Sequence, residues 1–367
     1  MLDLLEIFLR PDLQLGGVPR VSDLHLHVGS PLRMRIDGDL VSVPGSDALT
    51  REQIETLVFP CLSDDQVRSL STVPPSDIDA AYDWRERGVS FRINVFVDRD
   101  GPASVVRVLP RHVPAPGDIG FPDDRVWQDI VGAQQGLVIV TGITGSGKST
   151  TIASLLGEIN RTRPVRVITL EDPIEYVLED DKALISQRQV GMHVSSFAAG
   201  LRSALREDPD IIFVGEMRDR ETAGLALTAA ETGHLVFSTM HTRDTRGALS
   251  RVVDLFPAER YKELCSQVSF SLSWVIGQRL IPRAGGAGRI VAMEVLRNTT
   301  AISNLIRSGV WHQIQSMVET QAREGMNTFE RHLIELVRAG QITREEAVRH
   351  ASDPGSANRR VETLSQP

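Results

Sequence analysis

Cysteine is almost missing from this sequence: Cys61 and Cys265 are the two in 367 residues, and neither belongs to a C-x-x-C pair. That count excludes a disulfide framework and a thiolate zinc site. Long apolar runs are missing too. No window approaches the ~18 uninterrupted apolar residues of a membrane span, so no transmembrane segment is expected. The opening MLDLLEIFLRPDLQL carries acids inside its apolar run and lacks a basic leading region, so it does not read as a secretory signal. Cytoplasm is the expected location. Basic blocks are scarce as well: the longest is Arg359-Arg360, and 40 basic against 48 acidic residues leave a net charge of −8. Proteins that grip nucleic acid usually show at least a local basic excess. No nucleic-acid partner is therefore expected, and a DNA translocase is disfavoured.

What remains has the composition of an ordinary soluble globular protein, 41% hydrophobic and 24% charged. The length suits two compact domains better than one core. Residues 1–112 read as strands with interspersed helices. LHLHVGSPLRMRIDGDL alternates, with Leu24, Leu26 and Val28, then Leu32, Met34 and Ile36, on one face and Asp37-Gly38 as a hairpin turn. Thr50 with Gln53, and Ser63 with Gln66, are capping-box signatures. SFRINVFVD is a further strand, with Phe91, Ile93, Val95 and Val97 on one face and Arg92, Asn94 and Phe96 on the other. His25 and His27 share the polar face of the early hairpin and read as solvated strand residues. PRHVPAPGDIGFP is rich in Pro and Gly, and residues 113–121 are expected to link the domains.

Over residues 122–297 apolar strands alternate with amphipathic helices: GLVIVTG, VRVITLED, DIIFVGE, HLVFSTMH and RIVAMEVL. That pattern predicts an α/β domain with a largely parallel sheet covered on both faces. Residues 298–350 read as helical, with Gly309 and Gly340 as C-terminal stops and Thr343 with Glu346 as another capping box. The remaining 351–367 read as a disordered tail.

GITGSGKST carries the strongest chemical signal, because Gly142, Gly147, Lys148 and Ser149 satisfy G-x-x-x-x-G-K-[ST]. Glycines let the backbone curl so that its N–H groups face phosphates, and the helix that follows presents its positive end. The expected nucleotide contacts are Gly142, Thr144, Gly145, Ser146, Gly147, Lys148, Ser149 and Thr150. Lys148 would reach the β- and γ-phosphates of ATP, and the Ser149 hydroxyl would ligate Mg²⁺. A short apolar run, Ile211 to Gly215, ends in Glu216, the position at which P-loop enzymes hold a metal-shell carboxylate. The bland alternative for Glu216 is the polar end of a core strand. VRVITL ends in EDPIEY, which places Glu171, Asp172 and Glu175 where open α/β sheets bind ligands. A carboxylate there could activate water; a surface acidic turn at Pro173 is the alternative. His234 and His241 bracket a strand and so cannot share a metal; His241 is the better placed to meet phosphate. Arg218 and Asp219 are expected to form salt bridges.

The set GITGSGKST, LEDPIEY, REDPDIIFVGEMRD and GHLVFSTMHT resembles the Walker A, Asp-box, Walker B and His-box motifs of the PilT-type secretion ATPases, motors that retract type IV pili. SDLHLHVGSPLRMRIDGDL is similar to the family's N-terminal opening, and the resemblance covers residues ~20–350. It implies a PAS-like α+β domain joined to a RecA-like ATPase domain with a helical C-terminal part. It also implies a homohexamer, ATP and Mg²⁺, a pilus platform protein of the inner membrane and the pilus machinery as partners, and a peripheral place at the inner face of the cytoplasmic membrane. Carried over by position, Glu175 is the water-activating base, Glu216 the Walker B acid and His241 the residue beside the γ-phosphate. Arg92 and Arg107 resemble the family's arginine fingers. AISNLIRS departs from the family's A-I-R-N-L-I-R-E, with Ser303 and Ser308 replacing a cation and an anion, and the His box here runs into HTRDTRGA. No tetracysteine zinc site is present, so the retraction branch is expected. An accessory pilus motor, a secretion-system ATPase and a non-hydrolysing nucleotide-binding regulator are the rivals.

Overall fold

The computed structural model describes residues 2–15, 18–36, 39–84, 86–87, 89–109, 113–286, 288–352 and 355. The chain divides into two compact units, Met1–His112 and Val113–Pro367. In the first, alternation of apolar and polar residues builds one six-stranded antiparallel sheet. Its strands are β1 (Val21–Leu26), β2 (Arg33–Ile36), β3 (Asp39–Ser42), β4 (Ile78–Trp84), β5 (Val89–Val97) and β6 (Pro102–Leu109), in the order β3-β2-β1-β6-β5-β4. Leu24, Leu26, Phe91, Ile93, Val95 and Val106 line the core face, against α1 (Arg51–Val58) and neighbouring loops. Both expected capping boxes are present, at Thr50/Gln53 and at Ser63/Gln66 before α2 (Asp64–Ser69). Asp37-Gly38 lies outside the described residues; the strands on either side pair with Ile36 opposite Asp39.

The histidine expectation needs correction. His27 is not simply solvated: its Nε2 sits 2.5 Å from an Asp98 carboxylate oxygen, and its Nδ1 lies 3.0 Å from the Val28 carbonyl. His25 is half-buried, and burial lowers its pKa.

The second unit is a seven-stranded sheet with strands β7 (Gly136–Thr141), β8 (Arg166–Glu171), β9 (Leu184–Gln189), β10 (Ile211–Val214), β11 (Leu235–Met240), β12 (Leu272–Pro282) and β13 (Arg289–Arg297). The order is β9-β8-β10-β11-β7-β12-β13, parallel throughout except for the β12–β13 pair. Side chains alternate across it. Leu137 and Ile139 of β7 face one core with Ile212, Val214 and Val236; Val138 and Val140 face the other with Phe213 and Phe237.

Helices α3 (Pro116–Ile119), α4 (Asp124–Gly132), α5 (Lys148–Thr162), α6 (Phe197–Ala204), α7 (Arg220–Glu231), α8 (Thr245–Asp254) and α9 (Tyr261–Ser271) accompany the sheet. α10 (Thr300–Arg307), α11 (Ile314–Thr320), α12 (Phe329–Arg338) and α13 (Arg344–His350) follow it. Residues 113–121 are more than a connector. They include α3, the buried Pro116 and Phe121, and the Pro114 carbonyl that accepts from Ser154 Oγ of α5 at 2.7 Å. The third capping box is half-made: Thr343 accepts from the Glu346 backbone, but the Glu346 side chain turns to Arg349 and His350 instead. Nearly all of 351–367 lies outside the described residues.

Candidate nucleotide-binding site

β7 is buried along its whole length, and its C-terminal end must turn sharply to start α5. Gly142 takes that turn: a Cβ there would lie 2.5 Å from the Gln278 carbonyl and the Ser146 hydroxyl, so no side chain fits. Gly147, at φ +91°, N-caps α5 without a side-chain cap. The first-turn N–H groups of a fifteen-residue helix are thus left open to an external acceptor, which suits a phosphate. Lys148 is buried, and its Nζ curls back to donate to the carbonyls of Gly142 (2.9 Å) and Ile143 (3.2 Å). Burial lowers its pKa, opposed by the carboxylates of Glu175 and Glu216.

Four parallel strands deliver their ends to this loop. A cavity of about 290 Å³ is lined by Thr144, Gly145, Lys148, Ser149, Glu175, Glu216 and His241, among others. Glu216 follows Gly215, whose N–H donates to Leu170 O at 2.7 Å and whose carbonyl accepts from Thr239 Oγ1 at 2.6 Å. The Glu216 side chain is 12% exposed; Arg218 Nε lies 2.6 Å from one of its oxygens and His241 Nε2 3.4 Å from the other. Burial, and then the nearby Lys148 ammonium, hold the His241 pKa below its ordinary value. Arg218 thus meets the salt-bridge expectation, whereas Asp219 does not: its carboxylate caps α7 by accepting from the Thr222 N–H and hydroxyl, both at 2.9 Å. Hydroxyl and carboxylate oxygens are the donors a hard divalent cation takes, and Ser149 and Glu216 line one cavity, so the residues present fit Mg²⁺.

The acidic cluster of the third strand is split by burial. Glu171 is buried and accepts from Thr169 Oγ1 (2.6 Å) and Gln187 Nε2 (3.0 Å), whereas Asp172 and Glu175 are exposed. Burial pushes the Glu171 carboxyl up to about 7. An unfolded glutamate ionises near 4.5, so between these values the folded chain holds a proton that the unfolded chain has lost. The resulting destabilisation is absent below the lower pKa and complete above the higher one. Glu171→Gln keeps an acceptor for both donors. It should raise the melting temperature at pH 8 and leave it nearly unchanged near pH 4.5, read by scanning calorimetry at both pH values.

Arg92 and Arg107 belong to the first unit, directly opposite each other on β5 and β6. Each has an acid: Arg92 lies 3.2 Å from Asp79, and Arg107 Nε lies 2.7 Å from the buried Asp23. Two like charges facing across a strand pair repel, and the two aspartates offset that.

Sequence reasoning missed a second cavity, about 530 Å³, that adjoins the same loop at Ser146, Gly147, Thr150 and Thr151. Gln278 of β12 lines it; its Nε2 donates to Thr151 Oγ1 at 2.8 Å, while its Oε1 is buried without a partner among the described residues. His332 also lines it, and accepts the Met293 N–H at Nδ1 (2.9 Å), which leaves the ring proton on Nε2. One signal was available: Gln278 and Arg279 interrupt the otherwise apolar WVIGQRLI. Tyr176 was also missed; its hydroxyl meets Thr150 Oγ1 at 2.9 Å on the far side of EDPIEY.

A buried parallel strand, a glycine loop, an uncapped helix with its lysine, and a carboxylate just past β10, which β11 separates from β7, define the P-loop nucleotide-binding class. Residues 20–349 match the model of the Type II/IV secretion system protein family. The chain is 43% identical to the type IV pilus retraction ATPase PilT of Pseudomonas aeruginosa, over 91% of this chain and 95% of that one. It is 33% identical to the type IV pilus ATPase PilU of the same organism, over 94% and 88%. A crystal structure of the pilus retraction motor PilT with bound ADP superposes with a TM-score of 0.87 at 40% identity, covering 98% of this chain and 99% of that one. The chain belongs to the Type II/IV secretion system protein family, and within it to the PilT-type ATPases.

Proposed function

We propose that this ATPase is a homohexameric motor that hydrolyses ATP to ADP and phosphate to drive type IV pilus retraction, with a PAS-like first unit and a RecA-like second unit. The observation that carries the reading is the gathering of Lys148, Glu175, Glu216 and His241 around one cavity at the ends of adjacent strands. The α5 N-terminus and Lys148 hold the β- and γ-phosphates, and the second cavity takes the base. Ser149 and Glu216 hold Mg²⁺, which neutralises charge on the phosphates when bound. Glu175, exposed at the cavity and free of the buried bonds that occupy Glu171, takes the proton of the attacking water. His241, whose Nε2 lies 3.4 Å from a Glu216 oxygen, stands beside the γ-phosphate. Arg92 and Arg107 supply cationic charge from the first unit. Partners are the pilus machinery and an inner-membrane platform protein, with the ring peripheral to that membrane. Among the described residues no helix is long and apolar enough to cross a membrane.

One feature favours a second reading, an accessory pilus motor or secretion-system ATPase. In α10, the AISNLIRS helix, Ser303 turns inward to donate to the Ser269 carbonyl at 2.9 Å, and Arg307 stacks over Phe270 at 5.0 Å. The helix therefore presents a different surface from one bearing a cation at position 303. Lys148, Glu175 and Glu216 together oppose a non-hydrolysing regulator. Phosphate release by the purified chain and pilus retraction in a strain lacking its gene separate the three. Retraction is expected to cease. Retraction that persists while the purified chain hydrolyses ATP points to the accessory or secretion role, and absent hydrolysis points to the regulator.

A further inference from the structure

The loop between His241 and α8 is tied down at three points. Thr141, the last residue of β7, accepts the Thr242 N–H at 3.0 Å, and its hydroxyl lies 2.8 Å from that of Thr242. Glu294 of β13 is buried and accepts the Thr245 N–H at 2.9 Å. Arg279 of β12 donates from Nη2 to the Arg243 carbonyl at 3.4 Å. Thr141 and Glu294 belong to the sheet that carries the site. Arg279 differs because its remaining contacts run elsewhere. Its Nη1 donates to the His350 carbonyl, its Nη2 reaches Ser352 Oγ at 3.3 Å, and its plane lies 4.1 Å over the Phe329 ring. Phe329 opens α12 and His350 closes α13. A single guanidinium therefore joins the C-terminal helices to the loop that begins at His241. Stacking with donors on two sides is something a planar fork can do and an ammonium cannot. Glu294, Glu330 and Asp244 are the anions around it, with Arg243 as the opposing cation.

We propose that Arg279 is a positioning residue that couples α12 and α13 to His241, so that displacement of those helices moves the imidazole relative to Glu216. The proposal rests on the reading of His241 as part of the ATPase site. Its chemistry is mechanical: the contacts of the Arg279 side chain run to the loop after His241 and to the C-terminal helices rather than to the P-loop, so turnover should change and ATP affinity should not.

The test is a double-mutant cycle on the full chain, with kcat and KM for ATP measured for the wild type, His241→Ala, Arg279→Gln and the pair. Coupling through packed networks spans roughly 0.5–2 kcal/mol, about two- to thirtyfold in rate. Arg279→Gln should lower kcat within that range with KM within about twofold, and should add almost nothing in the His241→Ala background. Arg279→Lys keeps the charge but loses the stacked fork. It should behave like Gln, and it carries the cycle if the Gln variant does not fold. Additive losses in the cycle, or a rise in KM alone, overturn the coupling. A His241→Ala variant with unchanged kcat removes the reading of His241, and this inference falls with it.

Discussion

Glu216→Gln should bind ATP with nearly wild-type affinity and lose at least ~10²-fold in turnover, the scale seen when one preorganised electrostatic group is removed from a water-poor site. The substitution deletes half a charge pair, not a side chain's volume, so the geometry of the cavity is kept. Binding depends on the α5 N-terminus and Lys148, and neither touches the changed atom. Two cations next to Glu216 decide how clean the effect is. Arg218 is exposed, so losing its 2.6 Å contact costs little stability, within the ~0–1 kcal/mol of surface pairs. Lys148 is more deeply placed and has Glu175 as a second anion, so it is not left unpaired. Isothermal titration with a non-hydrolysable ATP analogue and a phosphate-release assay on the same preparation read both quantities. Wild-type turnover would sink the role of Glu216, whereas lost binding with intact folding would make it a structural acid.

Much of this site was legible because its chemistry is local. A glycine loop after LVIV and before KSTTIASLL fixes a strand, a turn and an uncapped helix within a few residues, and Glu216 needed just the buried IIFV before it. Two strands of the second unit's sheet that the sequence does not show explain the limit. β9 is an edge strand whose residues are mostly half-buried, so LISQRQ shows no apolar periodicity. β12 begins at Leu272 directly after α9 ends at Ser271, with no Gly or Pro between them to mark the change of period. That second omission hid Gln278 and Arg279, and with them the second cavity and the tie to the C-terminal helices. Asp219 departs from the salt-bridge expectation for a different reason: D-R-E-T has a cap residue three places before a threonine, but the surrounding charges suit ion pairing equally well. The split between Glu171 and Glu175 could not be read at all, since both are acids in one six-residue motif and burial alone separates them.

Arg92→Ala should lower turnover by ~10³-fold or more while changing stability by less than ~1 kcal/mol. The two magnitudes differ because the arginine has two partners at different times. At rest it pairs with Asp79 at 3.2 Å, both side chains partly in water, a contact of small net worth. In the transition state of the proposed reaction it would instead face a phosphoryl group whose charge is otherwise incompletely matched. Arg107 is the poorer choice for the test. Its partner Asp23 is 3% exposed, and removing the guanidinium leaves a buried carboxylate unpaired, so lost activity could be lost folding. Arg92→Ala also relieves the cross-strand repulsion with Arg107, which pushes its stability change towards zero. A mixing experiment shows whether the cation crosses between subunits. If the proposed ring and roles hold, Arg92→Ala subunits would lack the cation and Lys148→Ala subunits would lack phosphate binding, so each alone should be inert. Mixed after subunit exchange, some interfaces pair an intact Arg92 with an intact Lys148, and turnover should return. Inert mixtures whose exchange is verified by mass spectrometry would place Arg92 in the same subunit as the phosphates it serves, and near-wild-type turnover in Arg92→Ala alone would remove it from the reaction.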